Sequence, residues 1–377
     1  MNLNFRRPLA RVAALVLCAV ALAGAALAQQ QQAPMTNEEF LTIVRQLPKH
    51  PDLKAQLIAE IRRRGIGFTL TSGLRSFVAT KSGGDEELRR VLEEAARRFT
   101  NPAGAPTLPS EAESAEALVK TRAATLEAVD QMPDFVVKQL VTRSHALGLT
   151  QNWTVEDRLV VGVSYRVKEG EQYRLLAVNG MTNTAQVSEK GDYKEAGGAN
   201  STGEFVSILK ALFEGESKTE FKPLDTDTLR GRRTIVYEYD IKKENSKWLL
   251  DHGDSSVIVA HRGKVWVDRE KFRVLRVEST AYEIPAGFAI SGATVAVDYD
   301  WVTIAGQGDY LLPSHSVLVM TLAERGQLVQ FRNEIRFRNY QKFGTELKII
   351  EDDIIDEDVP QEKPQKQTPQ KPPEKKP

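Results

Sequence analysis

The chain changes its hydrophobic period near Phe135, and this change separates two kinds of predicted structure. Upstream, apolar residues recur every three or four positions, which is the spacing of amphipathic helices. The pattern predicts four short helices within residues 36–98 and a fifth from Ala112 to Gln131. Downstream, apolar and polar residues alternate with the period of two that is typical of strands. A small helical module therefore precedes a domain built mainly of strands.

Residues with strong capping preferences predict where the first four helices begin and end. Thr36 and Glu39 have the spacing of a capping box at the start of the first helix. Gly65 is a typical C-terminal stop for the second helix. Thr71 or Ser72 starts the third helix, and Asp85 starts the fourth.

About eleven strands are predicted after Phe135, and one amphipathic helix after Phe205 interrupts them. The strand segments are Phe135–Val141, Leu159–Tyr165, Tyr173–Ala177, Thr219–Pro223, Arg233–Ile241, Ser255–Arg262, Lys264–Asp268, Val274–Tyr282, Ala293–Ile304, Ser314–Leu322 and Gln327–Phe343. Short turns join most of them, so the sheet is predicted to be largely antiparallel. The fold class is therefore predicted to be α+β.

The N-terminus has the three parts of a secretory signal peptide. A basic region with Arg6 and Arg7 precedes an apolar stretch from Val12 to Ala26, and small residues end at Ala28. The apolar stretch is about 15 residues long, short of the roughly 20 that a permanent membrane helix needs. Residues 1–28 are predicted to be removed after Ala28, which makes the mature protein periplasmic or secreted. An uncleaved membrane anchor is the alternative.

Removal of this segment changes what the composition implies. Cys18 is the only cysteine, so the mature chain can form neither a disulfide nor a thiolate site. The 51 basic and 51 acidic residues become 48 and 51, because three arginines leave with the segment. That balance argues against a nucleic-acid surface. The remaining chain of about 349 residues is long enough for two domains with tails.

Composition also predicts the domain boundaries. Residues 99–115 are rich in Pro, Ala and Ser and are predicted to be a linker between the helical module and a sheet domain at 116–348. Residues 349–377 are predicted to be a disordered tail. The tail begins with an acidic run, Glu351 to Asp358, in which six of eight residues are acidic, and continues with Pro, Lys and Gln.

Motifs for chemistry are weak throughout the sequence. The glycine-rich run at 197–203 lacks the lysine of a phosphate loop, and a flexible loop is the simpler interpretation. The polar turn Asp251 to Asp254 and the acidic run lack the ligand spacing of metal sites. No metal and no cofactor are therefore predicted.

Two groups of polar residues on predicted strands contain the residue types of catalytic sites. Ser314, His315 and Ser316 are consecutive on one strand, so neighbours face opposite ways and cannot form a serine–histidine pair among themselves. Asp298 and Asp300 share one strand face, which is most simply the solvated side of a half-buried strand. No catalytic residue is predicted, and a hydrolase with an unrecognised site stays as an alternative.

The strongest feature of the sheet domain is its apolar alternation. Aromatic residues on it are predicted to line one concave face: Tyr165, Tyr237, Trp266, Tyr299, Trp301, Phe331 and Phe337. The face is either the packed core of an antiparallel sheet or the inside of a curved half-barrel that binds an apolar ligand.

Several motifs between Glu113 and Gly344 resemble a family of uncharacterised secreted proteins common in acidobacterial genomes. The matching segments include Met132-Pro133-Asp134-Phe135, Ser201-Thr202-Gly203-Glu204-Phe205, Leu229-Arg230-Gly231-Arg232-Arg233, Val267-Asp268-Arg269-Glu270 and Arg336-Phe337-Arg338-Asn339-Tyr340-Gln341-Lys342-Phe343-Gly344. The resemblance covers about two-thirds of the chain and implies no activity.

The order of elements, with Trp266-Val267-Asp268 followed by Val274-Leu275-Arg276, is more distantly similar to the periplasmic lipoprotein-carrier superfamily with the LolA/LolB-like fold. That resemblance implies a curved, mostly antiparallel half-barrel with helices packed on it, whose hollow holds lipid acyl chains. We therefore expect a non-enzymatic protein that binds an apolar ligand such as a lipid. An envelope scaffold, tethered to a protein partner through its helical module and tail, is the alternative.

Overall fold

A computed structural model describes residues 33–102, 109–182, 205–324 and 326–344 of the 377-residue chain. The predicted signal peptide, the glycine-rich run at 197–203 and the acidic run with its tail lie outside the described residues. So does the middle of the predicted linker. Helices occupy both ends of that linker, because one continues to Thr100 and the next begins at Glu111.

Six α-helices lie within the described residues: α1 (Asn37–Gln46), α2 (Leu53–Arg64), α3 (Ser72–Ser82), α4 (Glu86–Thr100), α5 (Glu111–Asp130) and α6 (Ser207–Phe213). The predicted capping box is confirmed, since Thr36 and Glu39 exchange side-chain to backbone hydrogen bonds. Thr71 and Asp85 are simple N-caps of α3 and α4, and the side chain of each accepts one hydrogen bond from a backbone N–H three residues later. Local capping chemistry therefore determines these helix starts.

The strands within the described residues are β1 (Phe135–Leu147), β2 (Thr154–Arg166), β3 (Gly170–Val178), β4 (Met181–Thr182), β5 (Glu220–Leu229), β6 (Arg232–Ile241), β7 (Leu249–His252), β8 (Ser255–Ile258), β9 (Ala260–Asp268), β10 (Val274–Tyr282), β11 (Ile290–Ile304), β12 (Gly308–Glu324) and β13 (Gln327–Lys342). The main sheet has the order β4-β3-β2-β1-β13-β12-β11-β10-β9-β6-β5, and β7 pairs with β8. The predicted fold class is confirmed: α+β, with a curved, unclosed, mostly antiparallel sheet.

The described chain divides into two compact units. Unit 1 combines the chain up to Ala115 with two later segments, Pro223–Val236 and Asp268–Glu270. Unit 2 contains the rest, including α6 and most of the sheet. The helical module predicted at 36–98 therefore shares a unit with a β-hairpin that the sequence assigns to the sheet domain.

Unit 1 has an apolar core and a cluster of buried charges. Its core brings together apolar residues of α1 to α4, including Phe40, Leu57 and Leu88, which are fully buried. The hairpin segment contributes Asp225 and Asp227, which are 8% and 6% exposed. Such carboxylates require partners, because an unpaired buried charge is strongly unfavourable.

Arginines of α2 and α4 supply those partners within unit 1. Arg98 Nη2 donates to Asp225 Oδ1 at 2.8 Å and to Thr226 Oγ1 at 2.6 Å. Arg62 Nε lies 3.6 Å from Asp225 Oδ2, and Arg90 Nε lies 3.7 Å from Asp227 Oδ2. The helices and the hairpin of unit 1 are thus joined by buried ion pairs.

Unit 2 has two core clusters along its sheet. In the first, Phe205 packs on Phe135 and Phe337 with ring centroids 5.3 and 5.4 Å apart, and Tyr165 stacks on Phe135 at 5.3 Å. The second cluster gathers Leu250 of β7 and Leu322 of β12 with other apolar residues of the sheet. Both clusters cover parts of one face of the sheet.

Candidate functional site

Cross-strand pairing assigns residues of unit 2 to the two faces of its sheet. Residues directly opposite each other on neighbouring strands share a face, and successive residues alternate. One such row crosses seven strands: Leu159, Val141, Ile335, Ser316, Val297, Val277 and Val265. We call the side that carries this row the apolar face, because every member except Ser316 is apolar. Each member is at most 2% exposed.

Two polar side chains on the apolar face have no hydrogen-bond partner within the described residues. Ser316 lies in the seven-strand row, between Ile335 and Val297, and its Oγ is buried and unpartnered. Gln139 lies one row away, opposite Phe337 and Val161, and both polar atoms of its amide are buried and unpartnered. Both residues are 0% exposed. An unsatisfied buried polar group typically destabilises a fold by about 1–3 kcal/mol, so these positions require an explanation.

The structure brings some of the seven predicted aromatic residues together on the apolar face. Tyr165 and Phe337 belong to the first core cluster of unit 2, and Phe331 packs against the second. Tyr299 is fully buried just beyond a β-bulge between Asp298 and Tyr299.

The other predicted aromatic residues are placed differently. Trp301, two residues past Tyr299, is 47% exposed. Trp266 lies on the opposite face, because it pairs with Arg276 while Val265 belongs to the apolar row. Tyr237 is 1% exposed. The expectation that Trp266 shares one face with Tyr165 and Phe337 is therefore wrong, since adjacent strand residues point to opposite sides.

The opposite side of the sheet, which we call the charged face, carries a second seven-strand row. This row is Val160, Leu140, Arg336, His315, Asp298, Arg276 and Trp266. Other lysines and arginines lie on the same side at in-register positions of β1–β3, β9, β10 and β13. They are Lys138, Arg158, Arg166, Arg174, Arg262, Lys264, Arg332 and Arg338. The same described positions hold three carboxylates: Glu278, Asp298 and Glu334.

His315 joins two of these carboxylates across three strands. Its Nδ1 lies 3.8 Å from Asp298 Oδ2, and its Nε2 lies 3.4 Å from Glu334 Oε1. Asp298, followed by Glu334, raises the pKa of His315 to about 9. Conversely, His315 and Arg332 help lower the pKa of Glu334 to about 2. At neutral pH His315 is therefore a cation between two carboxylates, Asp298 and Glu334. A protonated imidazole can form ion pairs, but it cannot act as a general base.

The other polar residues that the sequence suggested as possible catalytic or metal-binding groups are not part of the His315 cluster. Asp300 is exposed, and its carboxylate accepts a hydrogen bond from the Trp301 backbone N–H. Asp251 and His252 are exposed at the end of β7. Among the described residues there is no group of three or more metal-ligating side chains.

Sequence reasoning missed the charged face, although a pattern for it exists. Arg332, Glu334, Arg336 and Arg338 repeat at period two along β13. The pairing of Asp298 with His315 required knowledge of the strand register, as did the position of Gln139.

Comparisons with known proteins identify structures that are distantly similar. No protein-family model matches the chain, and no curated protein matches it. A LolA superfamily protein from Nitrosomonas europaea is 14% identical, covering 60% of this chain and 94% of its own, with a TM-score of 0.26. A DUF1329 family protein from Desulfovibrio piger is 9% identical, covering 61% and 94%, with a TM-score of 0.29.

A chain of the Pseudomonas aeruginosa MucA/MucB complex is 10% identical, covering 59% of this chain and 94% of its own, with a TM-score of 0.19. The order of elements led us to expect a distant LolA-like resemblance, and a LolA superfamily protein is among the similar structures. None of the helices in the described part of the chain combines the length and apolar composition needed to cross a membrane.

Proposed function

We propose that the protein is a non-enzymatic, exported binding protein whose apolar face holds a largely apolar ligand with a hydrogen-bonding group. A lipid is the simplest ligand of this class. The observation that supports the proposal most directly is the pair of buried polar side chains, Gln139 and Ser316, which have no partner within the described residues and lie among the apolar residues of the seven-strand row and its neighbouring row. Residues Tyr165, Phe331 and Phe337 would contribute apolar contacts on the same face.

The chemistry of this face favours such a ligand over a purely hydrocarbon one. Ligand sites commonly combine an apolar lining with a few polar groups that fix orientation. An amide, hydroxyl or ester of the ligand would give Gln139 and Ser316 the partners that the described residues do not give them. The acyl part of the ligand would meet the neighbouring Val, Ile and Phe side chains.

The test is uptake of a fluorescent fatty acid by the full-length mature chain, together with native mass spectrometry after gentle purification. Ser316→Leu places an apolar side chain in the seven-strand row and is expected to weaken binding at least tenfold. Thr321→Leu lies on the same strand but on the charged face, so it serves as the matched control and is expected to bind as the parent does.

Gln139→Leu gives a second variant in case Ser316→Leu does not fold. A wild-type chain that carries no bound lipid and takes up no fatty acid would refute the proposal. Equal weakening by Ser316→Leu and Thr321→Leu would also count against a site on the apolar face.

A further inference from the structure

One end of the sheet in unit 2 carries more than half of its exposed apolar side chains. Because the strands are antiparallel, the end of β1 and the start of β2 lie beside the β12–β13 turn and the start of β11. Eleven large apolar residues are exposed in the described part of unit 2. Six of them lie at this end, and we call them the apolar rim: Leu147, Leu149, Val155, Leu249, Ile258 and Leu328.

Two neighbouring connections hold four of these residues together. Leu147, Leu149 and Val155 belong to the β1–β2 connection and its flanking strand ends. Leu328 lies next to the β12–β13 turn, and its carbonyl accepts a hydrogen bond from the Gly148 backbone N–H at 2.8 Å. The two connections therefore present their apolar side chains from adjacent positions.

The β7–β8 hairpin adds the other two residues of the apolar rim. Leu249 and Ile258 are direct cross-strand partners, and both are exposed. Leu250, which points to the other side of the hairpin, is buried in the second core cluster of unit 2. The hairpin lies at the same end of the sheet, because β9 begins just after it at Ala260, opposite Tyr282 at the end of β10.

The apolar rim is continuous with the apolar face. Leu147 pairs with Val329, Val329 pairs with Leu322, and Leu322 pairs with Ile290. Leu322 and Ile290 are buried in the second core cluster, whereas Leu147 is 63% exposed. This row of apolar residues therefore runs from the core into solvent.

The rim is apolar on both sides of the sheet. Leu147 continues the apolar face, whereas Leu328 is adjacent to Val329 on β13 and so points to the opposite side. Val155 is on that opposite side too, because it shares its cross-strand partner Ser144 with a residue of the charged face. A flat protein surface would cover one side of this end, but the interfacial region of a bilayer would surround both.

The connections at this end are poor in charge, although 27% of the chain is charged. Residues 146–155 and 284–290 contain no acidic or basic side chain. The first of these segments includes Trp153, a residue type that is enriched at membrane interfaces. The adjoining turns carry acidic residues, including Asp251, Asp254 and Glu324, which would oppose attraction to anionic lipids. The surface therefore matches a neutral bilayer better than an anionic one.

We propose that the apolar rim docks on a lipid bilayer and buries its leucines in the interfacial region of neutral phospholipids. Exposed apolar patches of this kind are typical of protein or membrane contacts, and apolar burial is not screened by salt. The inference goes beyond the proposed function and stands without it, because membrane docking is measured with no fatty acid present. A lipid held on the apolar face would enter and leave at this end.

The experiment measures co-sedimentation of the full mature chain with vesicles of phosphatidylcholine alone, in 0.1 M and in 1 M salt. We expect the wild type to bind at both salt concentrations. The variant with L149Q and L328Q is expected to bind at least fivefold more weakly. A second rim variant, L249Q with I258Q, is expected to weaken binding as well.

The matched control is V167Q with F343Q. Val167 and Phe343 are 60% and 38% exposed, against 60% and 40% for Leu149 and Leu328. They lie at the opposite end of the sheet, just after β2 and β13 end. The control is therefore expected to bind vesicles as the wild type does.

Absence of wild-type binding to phosphatidylcholine vesicles would overturn the proposal. So would binding that requires phosphatidylglycerol and is lost in 1 M salt, because charge would then drive it. Equal weakening by the rim and control variants would also contradict it. A wild-type dimer that L149Q with L328Q dissociates, with no vesicle binding, would instead assign the rim to a second copy of the chain.

Discussion

Asp298 of β11 and His315 of β12 are direct cross-strand partners, with 3.8 Å between Oδ2 and Nδ1. They are 17 positions apart in the sequence, and only the register of the hairpin brings them together. On its other side His315 reaches Glu334 of β13. One imidazolium therefore connects three neighbouring strands, and its positive charge contributes to the stability of their pairing.

The raised pKa of His315 predicts a loss of stability at alkaline pH. The folded protein holds the proton up to about pH 9, whereas the unfolded chain releases it near 6.5. The stabilising contribution is therefore complete below pH 6.5 and is lost as the pH rises through 9. Because the side chain is 36% exposed, screening reduces the effect to about 1 kcal/mol.

Urea denaturation of the wild type and His315→Gln at pH 6 and pH 9.5 checks this prediction. The wild type should lose about 1 kcal/mol of unfolding free energy over that interval. His315→Gln should show a much smaller decrease, and an equal decrease in both proteins would contradict the assignment.

His261 predicts a dependence of opposite direction. It is 5% exposed, its Nδ1 lies 3.1 Å from Ser246 Oγ, and burial lowers its pKa to about 4. The unfolded chain takes up a proton below pH 6.5 while the folded chain does not, so stability falls between pH 6.5 and pH 4. The contribution is on the order of 2 kcal/mol.

Carboxylates such as Glu334 also titrate in acid, so the measurement is the difference between wild type and His261→Gln. Between pH 7 and pH 4.5 the unfolding free energy of the wild type should fall by more than that of His261→Gln, because only the wild type has this histidine to protonate on unfolding. Parallel curves would show that His261 is not held neutral.

The unpartnered amide of Gln139 predicts a stabilising substitution. Gln139→Leu keeps roughly the same volume and removes polar atoms that no described residue satisfies. We expect the unfolding free energy of the ligand-free protein to rise by about 1 kcal/mol or stay equal. Gln327→Leu, at an exposed position of β13, is the control and should have little effect. A clear loss of stability in Gln139→Leu would mean that the amide has a partner.

The buried ion pairs of unit 1 predict a strong effect of Arg98. Arg98→Met removes the arginine that is hydrogen-bonded to Asp225, a carboxylate that is 8% exposed, and leaves it with Arg62 Nε at 3.6 Å. We expect a loss of about 3 kcal/mol, as is typical when one member of a buried pair is removed. Arg89→Met on the same helix is the control, because Arg89 pairs with Glu86 on the surface and should contribute less than about 0.5 kcal/mol.

Thermal denaturation followed by circular dichroism compares the two variants. Similar melting temperatures for both would contradict a structural role for the Arg98–Asp225 pair. The pair also affects how tethering of the helical module to a protein partner is tested. Deletion of residues 36–98 would leave Asp225 and Asp227 without their arginines. Point substitutions on the surfaces of the helices are therefore the better test.

The sequence predicts local features of this protein more fully than its long-range pairing. Thr36, Thr71 and Asp85 start their helices as expected, because capping depends on residues three positions away. Trp301 was expected on the apolar face by simple alternation. The β-bulge between Asp298 and Tyr299 precedes it, and bulges of this kind interrupt alternation without a distinct sequence pattern.

Contacts over long sequence separations could not be predicted from periodicity. Arg98 and Asp225 are 127 positions apart, and neither has an unusual local sequence. The apolar alternation of β2 and β13 did predict Tyr165 and Phe337 in the core. It could not predict that Gln139 shares their side, because one polar residue at an inward position resembles a solvent-facing one.

Unit 1 is built from segments that are far apart in the sequence. During synthesis from the N-terminus, its helices are therefore made before its hairpin. Roughly 120 residues separate the end of α4 from the hairpin at Pro223–Val236. At synthesis rates of about 5–20 residues per second, α4 is available some 6–25 seconds before its carboxylate partners. During that interval Arg90 and Arg98 can pair with Glu86 and Glu94 of their own helix, but not with Asp225 and Asp227.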